Sequence, residues 1–398
     1  MIKRWRAVLN HPYAALLVAS NLAVRLSAGA VVLSLVLFVE DARGSFGAAG
    51  TVAGAYGLGT ALGSPSVGRI IDRFGQTWPL IGNAVVHGAS LLLIVAVPGA
   101  PLPVLLALAA LAGASRPPVP ACMRSLWIDI LTDESERRAS YRLESVVLEL
   151  GFIVGPVLAG AMVAVLPAAW AVACSALVAV VATTAFAATP PSRAWRGERK
   201  KRGLVGPLRS AAQLSLISSR AALGLTIGAL QVGAAATATL DAEAGVSGIL
   251  LGAFAFGSLV GGVLLEVARD AAALIRSYLF LSLAVTAGLV PLLLPVDVWV
   301  MAGLFCVAGL PLAPLNAAAY EMTDLTAPSG TGTEARIWTS TATTGGAALG
   351  SALAGPLVDS SAPRVAYLLA LAGALLAAGI AVSTRSVLRS RVTAALIR

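Results

Sequence analysis

The stretch AGAYGLGTALGSPSVGRIIDRFGQ, residues 53–76, runs from small and apolar residues into three charges, Arg69, Asp72 and Arg73. Its uncharged part has no polar face to turn to water, so its solvent is lipid, and the charges mark where it leaves the lipid. The rest of the chain agrees. Of 398 residues, 58% are hydrophobic and only 12% charged, with a mean hydropathy of +0.87, against about 25% charged in soluble domains. This is the composition of an integral membrane protein.

In lipid the backbone must satisfy its own hydrogen bonds, which leaves helices or closed barrels. Runs such as VVLSLVLFV and PVLLALAALAGA are continuous rather than alternating, so the expected class is all-α. A spanning helix takes about 20 residues. Twelve runs qualify, at 13–38, 46–67, 78–97, 102–124, 145–166, 170–188, 211–236, 246–267, 276–294, 298–320, 338–358 and 364–384. The N-terminal MIKRWRAVLNHPYAALL resembles the charged start of a signal peptide, but the apolar run after it is too long for one, so a retained first helix is expected. Cys122, Cys174 and Cys306 fall inside runs without metal-type spacing and read as small packing residues.

The net charge of +9 is placed as topology rather than as a nucleic-acid surface. With both termini cytoplasmic, Lys3, Arg4, Arg6, Arg69, Arg73, Arg137, Arg138, Arg142, Arg269, Arg276, Arg385, Arg389 and Arg391 lie inside, while outer loops hold only Arg43 and Arg364. The outer loops carry Glu40, Asp41, Asp241, Glu243, Asp297 and Asp359 instead. The segment TPPSRAWRGERKKRGLVGPLRS, 189–210, reads as a basic cytoplasmic linker between bundles 1–188 and 211–398. Its basic run either marks topology or meets anionic headgroups.

The two sides of that linker repeat each other. AGAYGLGTALG (53–63) aligns with LGAFAFGSLVG (251–261), setting Gly54, Tyr56, Gly59, Thr60 and Gly63 opposite Gly252, Phe254, Gly257, Ser258 and Gly261. The same offset sets Asp72 opposite Asp270. At a slightly smaller offset Gly151, Gly155 and Gly160 meet Gly346, Gly350 and Gly355, Pro118 meets Pro314, and Arg25 meets Arg220. Two pseudo-symmetric six-helix bundles follow.

Over nearly its whole length the chain resembles the major facilitator superfamily of secondary transporters. Gly68, Asp72, Arg73 and Gly75 fit that family's motif between helices two and three, with Gln76 and Thr77 in place of the usual basic pair. The resemblance implies a reversible cytoplasmic gate. Gly68 would admit a close neighbour, Asp72 would face the start of helix eleven, and Arg73 would pair with Asp129 or Asp133. Helix five carries GFIVGPVLAG, whose Gly151, Gly155, Pro156 and Gly160 resemble the antiporter motif of drug and metabolite exporters. Arg142 and Ala159 stand where that motif has glycine. Small residues four apart let helices touch, and Pro156 bends the helix, which suits a seam between halves. An Arg of helix four has a counterpart in Arg116, although Val119 and Pro120 replace the expected Gln and Gly. Pro117, Pro118 and Pro120, mirrored by Pro311 and Pro314, interrupt helices four and ten, which then border a cavity.

Ionisable residues at bilayer depth are costly and point to function. Arg25 is expected to pair with Glu149, or else with Glu144, either as a proton-coupled switch or as a static ion pair. Arg220 has no evident acidic partner and either attracts an anionic substrate group or snorkels. His87 is a packing histidine or a proton relay. Asn21, Tyr56, Gln231, Asn316, Tyr320 and Trp338 complete the candidate substrate contacts, because amide and ring edges orient ligands in apolar clefts.

The expected function is proton-coupled export of drugs or metabolites by a monomer in the cytoplasmic membrane. The alternatives are an uptake carrier for a sugar, nucleoside or organic anion, and a transport-inactive sensor. No phosphate loop, metal cluster or nucleophile with a positioned base appears, so neither enzyme activity nor a cofactor is expected.

Overall fold

The computed structural model describes residues 2–197, 207–240, 245–264, 271–328 and 331–396. Asp241, Glu243, Arg269, Asp270 and the basic run of the linker lie outside the described residues. Among the described residues, ten helices are long and apolar enough to cross a membrane. In chain order they are spans one (Ala14–Arg43), three (Thr77–Ala96), four (Leu102–Ile130), five (Glu134–Val165), six (Ala168–Ala188), seven (Ala211–Thr239), eight (Val246–Leu264), nine (Ala273–Leu293), ten (Val298–Thr326) and twelve (Pro363–Ser383). Phe46–Phe74 and Gly332–Ser360, each of 29 residues, take the second and eleventh places. Both are rich in Gly, Ser and Thr and poor in Leu, and one face of each packs against the other across the molecule.

Proline breaks two spans at equivalent places. Span four is interrupted between Leu102–Ala114 and Val119–Ile130, at Pro117 and Pro118, and span ten between Val298–Gly309 and Leu312–Thr326, at Pro311. A missing N–H and a ring clash end the helical ladder there.

Several helices outrun the apolar stretch that announces them. Span five starts at Glu134, where the Asp133 carboxylate accepts the Ser135 N–H at 3.2 Å, so Arg142 and Glu144 lie within the helix. Hydrogen bonds from Ser135 hold the Asp133 carboxyl below its usual range. Span two runs on to Phe74, which puts Asp72 and Arg73 in its last turn. Gly75 ends it at φ +84°, a conformation that favours glycine. Hydropathy reports the length in lipid, whereas the hydrogen-bond ladder continues into water as long as each turn is capped or paired.

The repeated glycines are the places where backbones touch. A Cβ on Gly59 would stand 2.1 Å from the Ala110 carbonyl oxygen, and one on Gly113 1.9 Å from that of Tyr56. In the second half, Gly257 meets the Cys306 oxygen at 1.8 Å and Gly309 that of Phe254 at 2.0 Å, which is the same packing of a gated helix on a broken one. Likewise Gly29 lies on Gly151 (2.2 Å) as Gly224 lies on Thr343 (2.1 Å). No side chain fits at such approaches without moving a backbone.

Glycine also joins the halves. Gly160 would meet the Gly245 oxygen at 2.4 Å and Gly248 the Pro156 oxygen at 2.3 Å, joining spans five and eight. Gly50 meets the Ser351 oxygen at 2.3 Å and Gly355 that of Phe46 at 2.2 Å, joining spans two and eleven. Both seams lie at the end of the molecule distal to the terminal helices Ile2–Asn10 and Arg385–Leu396.

Candidate functional site

Among the described residues, three of the polar groups in the apolar interior hold residues singled out by the sequence. The first is the motif at the terminal end of span two. Among the described residues, a Cβ on Gly68 would have nothing within 4 Å, so none of them is the close neighbour expected here. The Asp72 backbone packs instead under the linker, where a Cβ on Gly197 would stand 2.5 Å from its carbonyl oxygen. Neither Asp129 nor Asp133 is seen paired with Arg73 among the described residues. Asp133 caps span five, Asp129 lines a surface hollow with Arg196, and the Arg73 guanidinium lies 5.1 Å over the Phe74 ring. The residue that does the tying is Gln76, only 1% exposed. Its Nε2 donates to Ser125 Oγ (3.1 Å) and the Cys122 carbonyl (3.4 Å), and its Oε1 accepts from Ser192 Oγ (3.1 Å). A neutral amide with both ends satisfied takes the place of a basic residue, and it binds the motif to span four and to the short helix Pro190–Ala194.

The second group lies in the first bundle. The expected pairing of Arg25 with Glu149 is not formed, and the acidic residue acting on Arg25 is Glu144. The reason is geometric. Arg25 Cβ touches Gly151, 2.9 Å from where a Cβ would stand, and helical side chains lean towards their own N-terminus. The Arg25 side chain therefore runs towards the terminal end, where Glu144 lies. Glu149, five residues further along span five, points about 140° away around the helix. Glu144 is 3% exposed and accepts from Arg124 Nε at 3.2 Å. Its Oε1 has no hydrogen-bond partner, and neither has Arg25 Nε. The Trp127 indole lies beside the carboxylate without closing a regular hydrogen bond. Glu149 is half-buried, and no charged group acts on it among the described residues. Sequence reading missed Arg124, which lies on the far side of the break in span four.

The third group surrounds Arg220, 4% exposed in span seven. Its Nη1 donates to Asn316 Oδ1 (2.6 Å), its Nε to Thr343 Oγ1 (3.2 Å), and its guanidinium lies 6.0 Å from the Tyr320 ring centre. Three of the expected substrate contacts, Arg220, Asn316 and Tyr320, are thus brought together, with Thr343 added from span eleven. Ser219 and Tyr278 share a hydrogen bond of 2.9 Å behind them.

The remaining candidates are dispersed. Tyr56 is buried beside His87 (ring centres 6.1 Å apart), away from any cleft, and His87 Nδ1 is held by the Ala112 carbonyl at 2.7 Å as a packing histidine would be. Arg116 is half-buried and acts electrostatically on Arg25. Asn21 is buried one turn before Arg25, with Oδ1 unpartnered. Gln231 and Trp338 are half-buried.

The glycine motif of span five serves two partners. Gly151 and Gly155 lie on span one, at Arg25 and Gly29, while Pro156 and Gly160 lie on span eight, at Gly248. At the distal end the seam has a polar clasp that sequence reading did not find. The Asp359 carboxylate, at the end of span eleven, accepts from Ser45 Oγ (2.7 Å), Phe46 N (2.7 Å) and Gly47 N (2.8 Å) at the start of span two.

A bundle of broken and glycine-seamed spans, with buried charges between them, is the architecture of a carrier. A family model described as Major Facilitator Superfamily matches residues 17–241, more than half of the chain, and the chain belongs to that superfamily. No curated protein matches it. Among solved structures it is similar to the nucleoside transporter NupG (TM-score 0.76, 11% identity, covering 92% of this chain and 98% of that one). It is also similar to a POT family transporter in complex with 5-aminolevulinic acid (0.68, 12%, 94% and 96%). A third is a bacterial homologue of the human lysosomal transporter Spinster, inward-facing and unoccupied (0.62, 15%, 97% and 95%). At such identities the likeness establishes the fold. The protein is a multi-pass membrane transporter.

Proposed function

We propose that the chain exports small organic molecules in exchange for protons, its bundles 1–188 and 211–398 rocking about the glycine seams. The observation that carries this reading is Glu144, a carboxylate buried between Arg124 and Arg25 with one oxygen unpartnered. Its charge is tolerated only while the guanidiniums stay close. A shift of span one or four against span five therefore changes its affinity for a proton. The positive-inside pattern assigns the terminal end to the cytoplasm. A seam closed at the distal end then corresponds to a carrier facing its cytoplasmic cargo. The span-five motif at that seam favours export. Uptake of a polar solute is the second reading, favoured by the neutral hydrogen-bonding groups around Arg220.

The test is retention of fluorescent dyes and labelled metabolites in expressing cells, with and without a protonophore, beside Glu144→Gln and Glu149→Gln. Export coupled through Glu144 requires lower retention of some compound in wild type, abolished by the protonophore and by Glu144→Gln but not by Glu149→Gln. Raised accumulation in wild type reverses the direction. Indifference to the protonophore removes the proton.

A further inference from the structure

Arg25 and Arg220 occupy equivalent positions in the repeat, yet their surroundings differ in one respect. Arg25 has a carboxylate of the chain acting on it, Glu144. Arg220 is the more deeply buried of the two, and the side chains around it are Asn316, Thr343, Tyr320 and Tyr278, all neutral. Among the described residues no carboxylate faces it. A buried guanidinium without a counter-charge is expensive to keep, and a strut between spans seven, ten and eleven would be made more cheaply by a neutral amide such as Gln213, which ties span seven to span ten nearer the terminal end (Nε2 to Thr323 O, 2.7 Å). Asn316 and Thr343 each accept one N–H from the fork. They hold the planar guanidinium in place and leave its other N–H groups for a further acceptor. Asn316 and Tyr320 are themselves half-buried, unlike the guanidinium that they hold.

We infer that the counter-charge of Arg220 is supplied by the cargo, and that the transported molecule carries a carboxylate or phosphate that binds this guanidinium, with Tyr320 alongside to cover its organic part. This deepens the transport reading and rests on it for the word cargo. The binding step itself is independent of direction and of protons. In one bundle the basic residue is satisfied by the chain, and in the other by what the chain carries.

The experiment uses the full-length protein in detergent micelles, without any gradient. Thermal stabilisation is measured with a panel of aromatic and aliphatic carboxylates, their methyl esters, and the corresponding phosphate monoesters, for wild type, Arg220→Gln and Arg220→Lys. The expected result is stabilisation by anionic members and not by their esters, with affinity falling at least tenfold in Arg220→Gln and less in Arg220→Lys. Whether carboxylates or phosphates bind more tightly names the anion. Equal stabilisation by esters and acids, no stabilisation by any anion, or unchanged affinity in Arg220→Gln overturns the inference. If Arg220→Gln does not fold, the acid-versus-ester comparison in wild type and the affinity of Arg220→Lys decide it. Anion binding without proton-dependent export would leave this inference standing and sink the export reading. The converse result would do the reverse.

Discussion

Removing the Asp359 carboxylate should open the distal seam. In the structure it accepts three hydrogen bonds from the other half, two of them from the first backbone N–H groups of span two, where the helix dipole also favours negative charge. Hydrogen bonds to charged groups contribute about 1.5–3 kcal/mol each where water is excluded. Asp359 is exposed, water competes for all three, and Ser45 still caps the helix through the Ala48 N–H at 3.1 Å. The net loss for Asp359→Ala is then about 1–2 kcal/mol, a factor of about 5–30 in the balance between the closed and open distal gate. Spin labels at positions 44 and 361, in a background with the three cysteines replaced, read that balance as a short and a long distance. The long distance should gain by that factor in Asp359→Ala and by less in Asp359→Asn, whose amide oxygen can still accept. An unchanged distance distribution, in a variant that melts like wild type, would refute the clasp.

Other consequences follow from single contacts. Gly160→Ala should disturb the five–eight seam, because its Cβ would press on the backbone of Gly245 and Gly248, at a cost of about 1–3 kcal/mol. Gly82→Ala, with nothing within 4 Å of its Cβ, should melt as wild type does. Gln76→Ala leaves the buried Ser192 hydroxyl without its acceptor and takes one donor each from Ser125 Oγ and the Cys122 carbonyl, which still bond each other, and should lower stability by about 1–3 kcal/mol, with Gln76→Glu also destabilising, since the acid cannot donate to Cys122 and Ser125. The folded-state carboxyl of Asp133 is held below its unfolded value. Its capping contribution is therefore complete above the unfolded value and lost as pH falls through the folded one. Amide protection in the first turn of span five, taken relative to the intrinsic exchange rate at each pH, should fall over that acidic window and stay constant in Asp133→Asn.

The all-helical, multi-span plan is legible in the sequence because lipid imposes two local rules. A span must be a continuous apolar run, and where two helices touch along their backbones only glycine fits. The matched glycines of 53–63 and 251–261 therefore report contacts that the structure makes twice over. Spans two and eleven are where hydropathy alone falls short, since helices that face each other across a seam need not be as apolar as those facing lipid. The sites were less legible. That Arg220, Asn316 and Tyr320 belong together is suggested by their residue types, but Thr343 joins them through helix phase. Which carboxylate meets Arg25 depends on the lean of a side chain along a helix and on the angle separating Glu144 from Glu149, and hydrophobic pattern records neither. Gln76 and Asp359 look like loop polarity in one dimension. One is buried against span four and the other clasps the start of span two, because folding brings together residues that are far apart in the chain. The sequence by itself determined the solvent, the helical class and many of the backbone contacts. The tertiary structure decided the pairing of charges, since a pair needs two helices in the right register and rotation.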